Sequence, residues 1–163
     1  MENNINYNIV ILGGGQAAAH AATTIRQEDE SSSLAIITNE NYLPYERPPL
    51  SKSFLLNKVK ESDFLFYNDD HYKNLNINIL KGEEVINIDF EKKLLESKNK
   101  KITYTKLLIA TGCKNRTLDL ENVNSDDVYY LRDINESIQI KNKLDIAKNI
   151  LIIGGGFIGL EIA

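Results

Sequence analysis

Two runs of β-branched residues, each leading through three glycines into a helix-compatible segment, constrain this chain more than any other feature. The first is Tyr7-Asn8-Ile9-Val10-Ile11-Leu12, followed by Gly13-Gly14-Gly15 and the alanine-rich stretch Gln16 to Gln27. The second is Asn149-Ile150-Leu151-Ile152-Ile153, followed by Gly154-Gly155-Gly156 and Phe157-Ile158-Gly159-Leu160-Glu161. Short unbroken apolar runs of this kind predict strands covered on both faces, hence a parallel sheet. The spacings Gly13-x-Gly15-x-x-Ala18 and Gly154-x-Gly156-x-x-Gly159 match the dinucleotide-binding corner. There the first glycine turns the chain, the second admits a diphosphate, and the third small residue lets helix pack on strand. Free N–H groups and a partial charge of about +0.5 at the helix start attract the phosphates. One such match is weak. Two, each between a strand-like run and a helix, predict two separate nucleotide sites.

The rest of the chain supports that reading. Leu34-Ala35-Ile36-Ile37-Thr38 is a second buried run, making a βαβ unit with a right-handed crossover. The acidic partner expected about 20 residues after the glycines is either Asn39 in its place or Glu40 beside it. Asn39 to Ser53 holds all three prolines, Pro44, Pro48 and Pro49, and is a stiffened loop. A short helix is expected over Ser51 to Leu56 and another after Asn68, a plausible cap. Strands are predicted at Asn76 to Leu80, Val85 to Phe90, Leu94 to Ser97, and Lys106 to Thr111. The middle two form a hairpin about Glu91-Lys92-Lys93. Lys114 to Asp127 reads as a linker, Val128 to Leu131 as a strand and Asn135 to Ala147 as a helix. The fold class is α/β: a parallel-sheet Rossmann-like domain over residues 1–113, then the start of a second over 117–163. Because the chain stops inside a crossover helix, it is expected to be part of a longer protein.

A net charge of −4 and a pI of about 5.3 argue against nucleic-acid or anionic-membrane partners. No apolar run approaches the roughly 18 residues of a membrane span, the first eight residues carry no Lys or Arg, and the lone Cys113 fits a reducing compartment. A cytoplasmic protein is expected, with no metal site. The run Lys98, Lys100, Lys101 reads as a solvated turn, and His20 and His71 as surface or helix-packing residues. With 15 Lys and only four Arg, the arginines Arg47, Arg116 and Arg132 are expected where a planar fork is needed.

The ordered set Gly13-Gly14-Gly15-Gln16-Ala17-Ala18-Ala19-His20, Pro44-Tyr45-Glu46-Arg47-Pro48-Pro49-Leu50-Ser51-Lys52, Ile109-Ala110-Thr111-Gly112, Tyr130-Leu131-Arg132 and the second glycine loop with Glu161 resembles the ferredoxin reductase family. That family includes putidaredoxin and rubredoxin reductases, with monodehydroascorbate reductase as a relative. The resemblance implies FAD in the first domain and NAD(P)H in the second, with a ferredoxin- or rubredoxin-type carrier as partner. It assigns Gly13, Gly15, Ala17 and Ala18 to the FAD pyrophosphate corner, Asn39 or Glu40 to the ribose, and Val85 to the adenine side. Arg47, Lys52, Ala110, Thr111, Gly112 and Arg132 would also meet the FAD; Gly154, Gly156 and Gly159 would meet the nicotinamide cofactor. Lys52 and Glu161 would be the catalytic pair, near where nicotinamide meets flavin. The loop Asn39 to Lys52 carries no cysteine, so electrons would pass from flavin straight to an outside acceptor. The rivals are delivery to a small radical or oxygen, and a nucleotide-binding module without catalysis. In the family the FAD domain is completed by later segments. The NADH or NADPH preference is not readable, because its determinant lies beyond Ala163.

Overall fold

The computed structural model describes residues 3–119 and 121–163. They form two compact units: Met1–Glu46 with Leu65–Gly112, and Arg47–Phe64 with Cys113–Ala163. The segment from Arg47 to Phe64, grouped by sequence with the first domain, clusters with the second unit.

In the first unit, β1 (Asn3–Leu12), α1 (Gln16–Glu28) and β2 (Leu34–Ile37) make the expected βαβ turn, and α2 (Asp69–Asn74) precedes β3 (Ile77–Leu80). The hairpin β4 (Val85–Asp89) and β5 (Leu94–Ser97) then leads into β6 (Lys100–Ile109). One six-stranded sheet runs in the order β3-β2-β1-β6-β5-β4. β3, β2, β1 and β6 are parallel, and β5 and β4 antiparallel. Alternation sorts the core onto two faces. Ile9, Ile11, Leu34 and Ile36 meet Ala18 and Ala22 of α1 and Tyr72 of α2. Val10, Ala35 and Ile37 meet Leu95, Ile102 and Tyr104. Two fully buried alanines one turn apart let α1 lie close on the sheet.

Local chemistry closes the ends. Asn68 Oδ1 accepts the His71 N–H at 2.9 Å, a cap worth about 1 kcal/mol. His71 stacks on Tyr67 with ring centroids 4.1 Å apart, and His20 meets Phe66 edge-on at 5.3 Å. His71 is thus a half-buried packing group, and His20 an exposed residue with a ring contact.

In the second unit the Pro48–Ser51 turn is a single 3-10 turn. α3 (Ile134–Leu144) begins at Asp133, whose carboxylate accepts the Glu136 N–H at 2.9 Å, and α4 is Phe157–Ile162. Ser137 Oγ donates to Leu50 O at 2.8 Å, seating α3 on the proline-rich turn.

Five expected elements differ. Ser51 to Leu56 is a series of turns, because the Lys52 and Phe54 N–H groups both go to Pro49 O and leave no regular ladder. α3 ends at Leu144, before the expected Ala147. Val128 to Leu131 and Asn149 to Ile153 are not strands. Among the described residues neither pairs with another strand, and Leu151 stands 86% exposed. Finally, Leu108 and Ile109 at the end of β6 are exposed, because β5 pairs with β6 only as far as Thr103.

Candidate functional site

The first glycine corner lies where the strand order reverses. β1 continues through α1 to β2 on one side, while β6 flanks it on the other, and ligands of open α/β sheets bind at such switch points beyond the strand ends. Gly13 donates its N–H to Ile37 O at 2.8 Å and has φ +126°. A Cβ there would drive into the carbonyl oxygen of Ala110, whose own N–H is held by Leu12 O at 2.7 Å. Gly15 is different. Its backbone is extended, it caps α1 with no side-chain cap present, and a Cβ would meet nothing within 4 Å. Ala17 is exposed and Ala18 buried against the sheet. The N–H groups of a first helical turn have no partners within the helix, so the corner offers open space lined by free donors, as a diphosphate requires. Thr111 and Gly112 follow Ala110 at the surface, Gly112 with φ +69°.

Past the end of β2, a cavity of about 250 Å³ is lined by Asn39, Gly82, Glu83, Glu84, Lys98 and Asn99. Backbone bonds from Gly82 to Glu40 O (3.0 Å) and from Glu83 to Thr38 O (2.9 Å) hold its wall. Asn39 is exposed on the cavity, whereas the Glu40 carboxylate accepts the hydroxyl of fully buried Tyr45 at 2.5 Å. Val85, half-buried at the start of β4, comes directly after the lining residue Glu84.

Glu83 is paired with Lys100 and accepts Ser97 Oγ at 2.9 Å. The Lys100 hydrogen bond is the main reason its carboxyl is held below the usual range. With a depressed folded pKa, this contribution is complete above the ordinary value of 4.5 and lost as the pH falls through the folded one. Glu83→Gln is therefore expected to cost no more than about 1 kcal/mol near neutrality and nothing in strong acid. Urea midpoints of both proteins across that range check it; a gap that persists in acid rejects the pairing.

The second unit gathers another group. Arg47 Nη1 donates to Arg132 O at 2.8 Å. Glu161 of α4 takes Lys52 Nζ on Oε1 at 3.2 Å and Ser51 Oγ on Oε2 at 2.5 Å. The Ser51 hydroxyl first, and Lys52 second, lower the pKa of Glu161. In the adjoining corner Gly154 has φ +114° and Gly156 caps α4 facing open space, while a Cβ on Gly159 would press on Gly154 O at 2.5 Å.

Residues 7–163 match the model of the pyridine nucleotide-disulphide oxidoreductases. The chain belongs to that family. Among related oxidoreductases, the rubredoxin-NAD(+) reductase of Pseudomonas putida is 35% identical over 131 residues, 80% of this chain and 34% of that protein. The crystal structure of NADH:rubredoxin oxidoreductase from Clostridium acetobutylicum matches with a TM-score of 0.89 and 31% identity, covering 97% of this chain and 41% of that one. A covalent putidaredoxin reductase–putidaredoxin complex matches with a TM-score of 0.86 and 30% identity, covering 98% and 39%. The chain thus spans between 34% and 41% of the length of these oxidoreductases.

Some side-chain partnerships escaped sequence reasoning. Ser51 and Tyr45 lie inside the quoted proline segment, but nothing local tells which carboxylate each serves. The arginine expectation missed its best case. Arg26, not Arg116, is the buried fork: its guanidinium donates to four carbonyl oxygens, whereas Arg116 is exposed.

Proposed function

We propose that this chain carries the flavin corner of an NAD(P)H-dependent oxidoreductase that passes electrons through FAD to a ferredoxin- or rubredoxin-type carrier. The observation that carries the reading is the Gly13–Gly15 corner: an obligatory glycine turn, then a second glycine open to a ligand at the switch point. The named functions of the similar rubredoxin and putidaredoxin reductases support it. When bound, FAD supplies the chemistry, taking a hydride from reduced nicotinamide and releasing electrons one at a time.

The chain's residues bind and orient. Gly13, Gly15, Ala17 and Ala18 would form the diphosphate corner, with Ala110, Thr111 and Gly112 beside it. Asn39 is the better ribose partner, since it is exposed and lines the cavity while Glu40 holds Tyr45; Val85 would serve the adenine side. Arg47, Arg132 and Lys52 would meet the flavin's charged groups, Lys52 as a fixed cation favouring the reduced anionic ring. Gly154, Gly156 and Gly159 would carry the nicotinamide cofactor's diphosphate, and Glu161 would act beside the nicotinamide. The exposed single cysteine suits a reducing compartment, and a cytoplasmic setting goes with this reading.

The test is spectroscopic. Protein with FAD should show flavin absorbance, bleach on addition of NADH or NADPH, and reduce a rubredoxin- or ferredoxin-type carrier. Absence of flavin binding rejects the reading; faster turnover with a small organic radical than with either carrier replaces the acceptor.

A further inference from the structure

Ser51 has no part in the reading above, yet it makes a close polar contact to a residue that reading makes catalytic. Its Oγ lies 2.5 Å from Glu161 Oε2 and 3.4 Å from Pro48 O. A hydroxyl has one proton, and the nearer, charged acceptor takes it. Lys52 Nζ holds the other carboxylate oxygen at 3.2 Å. The two oxygens therefore answer to different donors, and the carboxylate has one orientation rather than two.

The mounting of the two donors differs. Lys52 is exposed, and an ion pair of that kind is weak and does not by itself fix the carboxylate's orientation. Ser51 is buried in the turn that Pro48 and Pro49 stiffen, and the Lys52 N–H is bonded back to Pro49 O at 3.0 Å. The hydroxyl is also neutral, so it directs the carboxylate without adding charge.

We propose that Ser51 is a positioning residue: it orients the Glu161 carboxylate so that Oε1 holds the Lys52 ammonium in one place. This rests on the reading that Lys52 and Glu161 serve the flavin and nicotinamide. The lowered pKa of Glu161, with Ser51 as its largest cause, agrees with the geometry. α4 has no other ionisable side chain, Lys52 is the charged group meeting Glu161 from the turn, and Lys141 of α3 lies instead over the Phe54 ring at 4.9 Å.

The experiment compares wild type with Ser51→Ala and Ser51→Thr, the latter keeping the hydroxyl. Carbon-13 NMR of the Glu161 carboxyl, in the 163-residue chain without cofactor, should show its titration midpoint rising in Ser51→Ala, with Ser51→Thr close to wild type. In flavin-loaded protein, Ser51→Ala should slow flavin reduction at saturating nicotinamide about tenfold with little change in the half-saturating concentration. Ser51→Thr should restore the rate, and the acid limb of the pH profile should follow the NMR midpoint. An unchanged Glu161 midpoint in Ser51→Ala overturns the proposal. A shifted midpoint with an unchanged reduction rate overturns instead the assignment of Glu161 to the reaction, and the positioning role falls with it.

Discussion

Replacing Gly15 with alanine should leave the protein folded and cost it the flavin, whereas the same change at Gly13 should cost it the fold. At Gly15 the backbone is extended, with φ −96°, a conformation open to any residue, and the new methyl meets no protein atom. Stability should change by no more than about 0.5 kcal/mol, as for an ordinary surface substitution. The space the methyl enters is the space assigned to the diphosphate. FAD affinity should fall by about a hundredfold or more, near 2.8 kcal/mol.

Gly13 offers no such freedom. A side chain at φ +126° is strained by about 1–3 kcal/mol. Its methyl would also collide with Ala110 O, a backbone atom that cannot retreat without breaking the β1–β6 ladder. Total stability is only about 5–15 kcal/mol, so most of the chain should be unfolded or aggregated on expression. Circular dichroism melts and flavin titration of the two variants separate these outcomes. Wild-type FAD affinity in Gly15→Ala would mean the diphosphate binds elsewhere, and the proposed function would go with it.

Arg26→Ala should be the most damaging change away from the glycine corners, lowering stability by about 3–4 kcal/mol. Arg26 is 6% exposed, and its guanidinium donates through Nε to Leu75 O (2.7 Å), through Nη1 to Asp29 O (2.7 Å) and Ser32 O (3.0 Å), and through Nη2 to Asn76 O (3.0 Å). These are the terminal carbonyls of α1 and α2 and the turns leaving them, where a cation also answers the helix dipoles. Deleting the fork leaves buried acceptors unpaired, and each such loss costs more than the bond contributed. Arg26→Lys should recover less than half of the loss, because one ammonium cannot span four carbonyls in a plane. Urea midpoints at constant slope give the numbers. A lysine variant as stable as wild type would show that charge, not the planar fork, is what the site requires.

Arg26 also marks the limit of sequence reasoning. A scarcity of arginine pointed to fork-demanding positions, yet Arg116 is exposed while the buried fork is at Arg26. Its partners Leu75 and Asn76 lie on a segment brought there by β2–β3 pairing, and no local pattern encodes that meeting. Tyr45 with Glu40, and Ser51 with Glu161, are likewise meetings made by the folded chain. Several features that depend on neighbours in sequence agree with the reading, although the short helix expected over Ser51 to Leu56 does not. The β1–glycine–α1 corner, the Asn68 cap and the β4–β5 hairpin all follow from periodicity and turn chemistry within a dozen residues.

The run from Asn149 to Ile153 shows the same division from the other side. Its composition suits a buried strand, but a strand exists only when another backbone takes its hydrogen bonds, and none of the described residues does. By itself, then, the order of residues determined the βαβ corner, the small-residue spacing at both glycine loops and the family resemblance, because those rest on backbone geometry over a few positions. Only the tertiary structure decided which carboxylate Ser51 serves, that Asn39 faces the cavity while Glu40 holds Tyr45, and that Arg26 is the buried fork. Those outcomes depend on where distant segments lie, and side-chain partners across such separations are chosen by packing.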